Sequence, residues 1–196
     1  MTRLTIRPLT PDLWPAFEDL FGANGACGGC WCMWWRTSRA DFDAGRSKGN
    51  KAAYKRLVQQ GPPPGLLAFA GDLAVGWCQA SPRRDLPRLD RSRLFAAVDE
   101  KPVWSLSCFY IRKGFRGQGV ASSLIAAAVK HAKKAGAPAL EAYPWDVVEK
   151  KPSADVYTGL ASSFAKRGFT VVARRAPHRP VMRHSFSKVR TRKDAA

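Results

Sequence analysis

At 196 residues, 45% of them hydrophobic and 24% charged, the chain has the size and composition of one globular domain with a substantial core. No apolar run is long enough to span a bilayer and the first residues lack a signal-peptide core, so a cytoplasmic protein away from membranes is expected. An odd cysteine count of 5 argues against a disulfide framework, and 33 Lys and Arg against 15 Asp and Glu give a formal charge of +18. That charge predicts attraction to polyanions without naming one, and a solvated basic surface is favoured over dedicated nucleic-acid binding.

Residues 4–9 read as a short strand, and Thr10-Pro11-Asp12 opens a helix whose Leu13, Phe17, Leu20 and Phe21 form an apolar stripe. Residues 22–35 are unusual in holding Cys27, Cys30 and Cys32 beside Trp31, Trp34 and Trp35. The cysteine spacing offers three thiolates where a structural zinc site wants four ligands, so no metal is expected there. Residues 36–50 are polar and turn-rich, a helix follows over 51–60, and the Gly-Pro-Pro-Pro-Gly run at 61–65 breaks it. Residues 66–70 and 73–80 flank Gly71-Asp72 and read as a hairpin. Residues 81–102 form a connection rich in Arg and Pro, with one helical turn at 94–98.

The next stretch is the most informative. A strand of aromatic, β-branched and small residues ends at Ile111, a turn holds Gly114, Gly117 and Gly119, and a helix runs from near Gln118 to Gly136. Glycines let backbone N–H groups converge on a ligand, a helix start adds its unpaired N–H groups, and Arg116 can fork two donors onto phosphate oxygens. The pattern is an anion cradle. It is not a Walker-type loop, because Gly119 is followed by Val120-Ala121 where Lys-Ser/Thr is needed. A dinucleotide fingerprint fits poorly, since Ser122 replaces the third glycine and too little chain follows for a second nucleotide-binding half. Beyond the helix, residues 139–143 form a strand ended by Pro144, 147–154 a polar loop, 157–166 a helix ended by Gly168, and 169–173 with 180–186 a second hairpin. Residues 187–196 form a basic, flexible tail.

The run Phe109-Tyr-Ile-Arg-Lys-Gly-Phe-Arg-Gly-Gln-Gly-Val-Ala121 resembles the acyl-CoA signature of the GNAT superfamily of N-acetyltransferases, Gln/Arg-x-x-Gly-x-Gly/Ala after a hydrophobic strand. Arg116, Gly119 and Ala121 stand at its three defining positions. The resemblance implies an α/β domain over residues 1–186, built on a mixed, mostly antiparallel sheet of about six to seven strands flanked by helices. It implies acetyl-CoA as co-substrate, no metal, and direct acetyl transfer to a primary amine by a monomer or homodimer.

Residue by residue, the resemblance implies that Arg116, Gly117, Gln118, Gly119, Val120, Ala121 and Ser122 hold the CoA pyrophosphate. Phe109, Tyr110 and Ile111 lend backbone groups to pantetheine and thioester, and Trp31, Trp34 and Trp35 wall the acceptor pocket. The family's central strands splay to admit acetyl-pantetheine, which brings Glu141 near the chemistry as the carboxylate to assign as base, with Asp146 second. The thiolate's acid is usually a Tyr four residues before a Gly-Phe pair. Gly168-Phe169 is present, but the matching position is Phe164, so Tyr157, two helical turns earlier, is the substitute. A non-catalytic acyl-CoA-binding regulator and a nucleic-acid-binding protein with a Cys27/Cys30/Cys32 metal knuckle remain as alternatives.

Overall fold

A computed structural model describes residues 3–147 and 155–186; the expected tail at 187–196 and nearly all of the 147–154 loop lie outside the described residues. Strand β1 (Leu4–Pro8) leads through a 3-10 turn carrying Asp12 into helix α1 (Trp14–Phe21), where Pro15 in the first turn suits a helix entry. Helix α2 (Arg39–Ala44) is opened by Ser38, whose hydroxyl accepts the Asp41 N–H, and α3 (Lys48–Gln60) ends at Gly61 with φ +60. Strands β2 (Gly65–Ala70) and β3 (Leu73–Pro82) form the first hairpin, and a four-residue helix α4 (Pro87–Asp90) sits in the following connection. Strand β4 (Trp104–Ile111), helix α5 (Val120–Lys134) and strand β5 (Ala139–Ala142) form the central unit. Helix α6 (Ala161–Ala165) and the hairpin of β6 (Thr170–Arg174) and β7 (Pro180–Ser185) complete the described chain.

The strands make one sheet in the order β1-β2-β3-β4-β5-β7-β6, antiparallel except between β4 and β5. This is the expected mixed, mostly antiparallel sheet of seven strands flanked by helices. Side chains alternate across a strand, so β3 sends Cys78 and Ala80 to one face and Trp77 to the other. On the first face α5 lays Val120, Leu124, Ile125, Ala128 and Ala132 against the sheet. On the second, Phe17, Phe21, Trp31 and Tyr54 close around Trp77. Burying a large apolar side chain is worth about 1.5–3 kcal/mol, so these two layers dominate stability.

Two features position the site. The β4–β5 ladder joins Trp104, Ser105 and Leu106 to Leu140, Glu141 and Ala142, and then stops. Past that point the Phe109 N–H donates to the Tyr157 carbonyl at 2.7 Å, so the strands part and residues 155–160 occupy the gap. In addition, β4 carries a register shift opposite Gln79/Ala80, which leaves Ser107 without a ladder partner.

Some boundaries differ from the expectations. Helix α2 replaces part of the turn-rich stretch, and the turn expected at 94–98 is not helical while α4 precedes it. The helix expected over 157–166 shrinks to Ala161–Ala165, because Gly159 takes φ +88 and breaks it. Tyr157 therefore stands in a turn and not on a helical face shared with Phe164.

Candidate active site

The glycine turn is built as a cradle. Gly117 (φ +74) and Gly119 (φ +80) both take the left-handed conformation that side chains disfavour. A Cβ placed at Gly114, Gly117 or Gly119 would meet nothing within 4 Å, so the space over the turn is open to a ligand. Gly119 caps α5, and the first amide bonded back into the helix is that of Ser123, to the Gly119 carbonyl at 3.0 Å. The amides of Val120, Ala121 and Ser122 thus remain as donors at the positive end of a 15-residue helix. Arg116 is exposed and anchored by its Nε on the Ile111 carbonyl at 3.0 Å, which leaves the rest of its fork free to face an anion. Gln118 braces the turn by donating to the Gly114 carbonyl at 2.8 Å. Arg167, which sequence reading did not single out, donates to Ser122 Oγ through Nε (3.0 Å) and Nη2 (2.9 Å), placing a second guanidinium at the helix start. The turn fits a pyrophosphate.

Beside it opens a cavity of about 660 Å³. Tyr157, Cys108, Phe109 and Tyr110 line one side, Trp34, Trp35 and Phe42 another, and Arg116 and Arg46 are the cations at its edge. Among the described residues no carboxylate and no histidine lines it. Burial pushes the Tyr157 phenol well above its ordinary pKa, so it stays protonated at neutral pH. Cys27, Cys30 and Cys32 also reach this cavity, a placement the sequence did not disclose. Burial pushes the Cys30 thiol up to about 12 and the Cys32 thiol well above its ordinary value, so both are neutral. Cys32 accepts a hydrogen bond from Trp77 Nε1 at 3.0 Å and lies 3.8 Å from Cys108, sulfur to sulfur. Among the described residues no group of three or more His, Cys, Asp or Glu side chains is placed to hold a metal ion.

The structure gathers most of the singled-out residues but not all. Phe109, Tyr110, Tyr157, Trp34 and Trp35 line the cavity, Ile111 leads into the turn, and Arg116 joins turn to cavity. Trp31 does not reach it. The Trp31 backbone takes φ +45, which turns its ring into the aromatic layer, stacked on Trp14 at 6.2 Å and Phe21 at 5.7 Å. Glu141 is set apart as well. It sits in the paired part of β4–β5, 1% exposed, where Arg183 donates to its Oε1 through Nε (2.9 Å) and Nη2 (2.6 Å). Tyr143 O–H approaches Oε2 at 3.4 Å and Arg83 Nη1 lies 3.6 Å from it, while Asp99 and Asp90 hold the far sides of the two arginines. Both oxygens are committed to a buried ionic network away from the cavity. Asp146 is paired with Arg174 at 2.6 Å. Phe164 is fully buried between Phe109 and Phe169, with its ring against Gly159.

With this geometry in hand, comparison with known proteins is informative. Residues 31–159 match the model of the Acetyltransferase (GNAT) family. No curated protein matches the chain. Among solved structures, the PaiA N-acetyltransferase of Thermoplasma acidophilum, in complex with coenzyme A, is similar at 18% identity and TM-score 0.53, over 94% of this chain and 99% of that one. YncA of Salmonella typhimurium, with its cofactor acetyl-CoA, is similar at 16% identity and TM-score 0.53, over 96% of each chain. The polyamine N-acetyltransferase of Drosophila melanogaster is similar at 11% identity and TM-score 0.57, over 94% of this chain and 100% of that one. At these identities the structural likeness speaks for the fold.

Proposed function

The chain belongs to the GNAT acetyltransferase family, and on that premise we propose that it moves an acetyl group from acetyl-CoA directly to a primary amine held in the cavity beside the glycine turn. The observation that carries the reading is the junction of an open cradle of donors with an aromatic cavity through Arg116. The amides of Val120, Ala121 and Ser122, with Arg116, are the donors for the pyrophosphate; the Phe109 N–H is already given to the Tyr157 carbonyl, so the backbone of Tyr110 and Ile111 is what β4 offers the thioester. Bound there, acetyl-CoA supplies an acetyl carbon already activated by its thiol leaving group.

Trp34 and Trp35 position the apolar part of the acceptor. Tyr157 Oη keeps its proton at neutral pH and is the cavity group assigned here to give it to the departing thiolate. Among the described residues no carboxylate or histidine lines the cavity, so the amine enters in its neutral form and gives up one proton to water as the C–N bond forms, and Tyr157 regains from water the proton it lends the thiolate. Glu141 has no part in this account, since Arg183 and Arg83 engage it elsewhere.

Calorimetric titration with acetyl-CoA tests the reading on the wild type and on Gly119→Asp. Aspartate tolerates the left-handed backbone better than most residues, meets no neighbour there, and puts a negative charge in the cradle. Micromolar binding by the wild type that is lost in the variant supports it; equal binding by both, or none by a folded wild type, overturns it. A thiol-release assay over an amine panel separates an enzyme from a regulator. Tight binding without release would favour the non-catalytic reading that Phe164 raises.

A further inference from the structure

Four of the five cysteines, Cys27, Cys30, Cys32 and Cys108, line the aromatic cavity beside the glycine turn, and among the described residues they make no metal-binding group. Two of them meet. Cys32 comes from the loop after α1 and Cys108 from β4, 76 positions apart, yet the Cys32 thiol is directed at the Cys108 sulfur across 3.8 Å. Cys108 is part-exposed at the cavity wall, whereas Cys32 is buried. Trp77, itself fully buried, donates its Nε1–H to Cys32 Sγ at 3.0 Å, which fixes that sulfur in place. Cys78 is different, since it is buried in the opposite layer beneath α5.

The two sulfurs are carried by elements of unequal freedom. Cys108 stands in the β3–β4 ladder opposite Gln79, beside the register shift. Cys32 stands in a turn between α1 and α2, where Trp31 (φ +45) and Cys32 (φ +57) both hold left-handed backbone that side chains disfavour. Closing 3.8 Å to the ~2 Å of a disulfide therefore displaces the loop and not the strand. Trp34 and Trp35 follow Cys32 closely in the chain, and Phe109 and Tyr110 follow Cys108. All four line the cavity, so a bond between the sulfurs draws the aromatic wall onto β4.

We propose that Cys32 and Cys108 are a reversible oxidation site, at which a hydroperoxide links the two thiols and closes the cavity. Cys108 gives its proton to water and its sulfur attacks the peroxide. The O–O bond breaks, a sulfenic acid forms on Cys108, and the other oxygen leaves as an alcohol, or as water from hydrogen peroxide, with the proton regained from solvent. The Cys32 sulfur then attacks the sulfenic sulfur; the S–S bond forms, the S–O bond breaks, and the hydroxyl leaves as water with the Cys32 proton. The pair is oxidised by two electrons and the peroxide is reduced by two. An added dithiol reverses the bond by exchange. That the space closed is an acceptor pocket rests on the acetyl-transfer reading; the disulfide does not.

The test treats the reduced full chain with hydrogen peroxide and maps its disulfides by mass spectrometry of non-reduced peptides. The wild type is expected to lose two hydrogens, to yield a linked Cys32–Cys108 peptide, and to recover both thiols with dithiothreitol. Acrylamide quenching of tryptophan emission reads closure without turnover: it should fall on linking, because Trp34 is the part-exposed ring of the wall, and the fall should be absent in Trp34→Phe. Thiol release from acetyl-CoA over an amine panel should drop at least about tenfold on oxidation and return on reduction. Cys32→Ser and Cys108→Ser, each compared with itself before and after peroxide, should show neither change, while Cys78→Ser should respond as the wild type does. A bond between any other pair, sulfinic acid without a bond, or a linked protein with quenching and turnover unchanged would overturn the proposal. The wild-type map and quenching decide even if a variant fails to fold. A Cys32–Cys108 bond with reduced quenching, in a protein that acetylates no amine in either state, counts against acetyl transfer and not against the oxidation site.

Discussion

Two side chains of the site separate catalysis from scaffolding, Tyr157 and Glu141. Tyr157 touches the cavity with its phenol and the β4 strand with its backbone carbonyl, so the two roles can be dissected. Tyr157→Phe removes the proton and keeps the carbonyl that accepts from Phe109; kcat is expected to fall about 100-fold, with acetyl-CoA affinity little changed. An unchanged kcat would mean that water protonates the thiolate. Glu141→Gln makes the opposite prediction. Neutralising it leaves Arg183 and Arg83 facing each other with only Asp99 and Asp90 as counterions, and breaking a buried ion pair costs on the order of 3 kcal/mol. Denaturant midpoint should therefore drop, while kcat/KM of the folded fraction and its pH profile stay put. Loss of the acidic limb of that profile, with stability intact, would return Glu141 to the chemistry.

At the scale of elements, the approach of α5 to the sheet decides where the cradle stands. Gly76 lies beneath the first turn of α5, where a Cβ would come within 2.6 Å of Val120 Cγ1, 3.1 Å of Ile111 Cδ1 and 3.2 Å of Leu124 Cδ1. Gly76→Val should overpack this contact, costing about 1–3 kcal/mol, and push the helix start outward. The expected result is a lower urea midpoint together with weaker acetyl-CoA binding, because Val120 is both packing residue and cradle residue. Unchanged affinity would show the turn to be mechanically independent of the sheet. This contact also shows what the sequence could disclose. The strand, glycine turn and helix were legible because each depends on local chemistry: alternation, positive φ and a 3.6-residue stripe. The hairpins were legible for the same reason. Helix α2 was not, since six residues with Phe42 as the one large apolar side chain carry little periodicity and its main signal is one capping serine. The sides taken by Trp31, Trp34 and Trp35 were hidden too, because left-handed backbone at Trp31 and Cys32 redirects neighbouring side chains to different layers. Nor could spacing bring Cys32 to Cys108 or Arg167 to Ser122, contacts between residues 76 and 45 positions apart.

For the molecule as a whole, the governing quantity is charge. If every one of the 15 acids were paired with a base, 18 of the 33 Lys and Arg would still lack a partner. Exposed ion pairs such as Arg39–Asp43 and Arg112–Asp19 contribute about 0–1 kcal/mol each and weaken with salt, whereas the excess of like charge repels over the whole surface and is also screened, with a Debye length of about 10 Å at 0.1 M. The two effects have opposite signs, and the surplus of cations decides between them. Thermal midpoint should rise as sodium chloride is increased from about 0.01 M to 0.2 M, by about 2–4 °C for each kcal/mol of repulsion relieved. Sodium sulfate at equal ionic strength should raise it further, because sulfate binds the folded cradle and linkage adds to screening. Gly119→Asp should keep the chloride response and lose the extra sulfate increment. A midpoint that falls with chloride would place the ion pairs above the net charge. A sulfate increment that survives in Gly119→Asp would move anion binding from the glycine turn to arginines elsewhere on the surface.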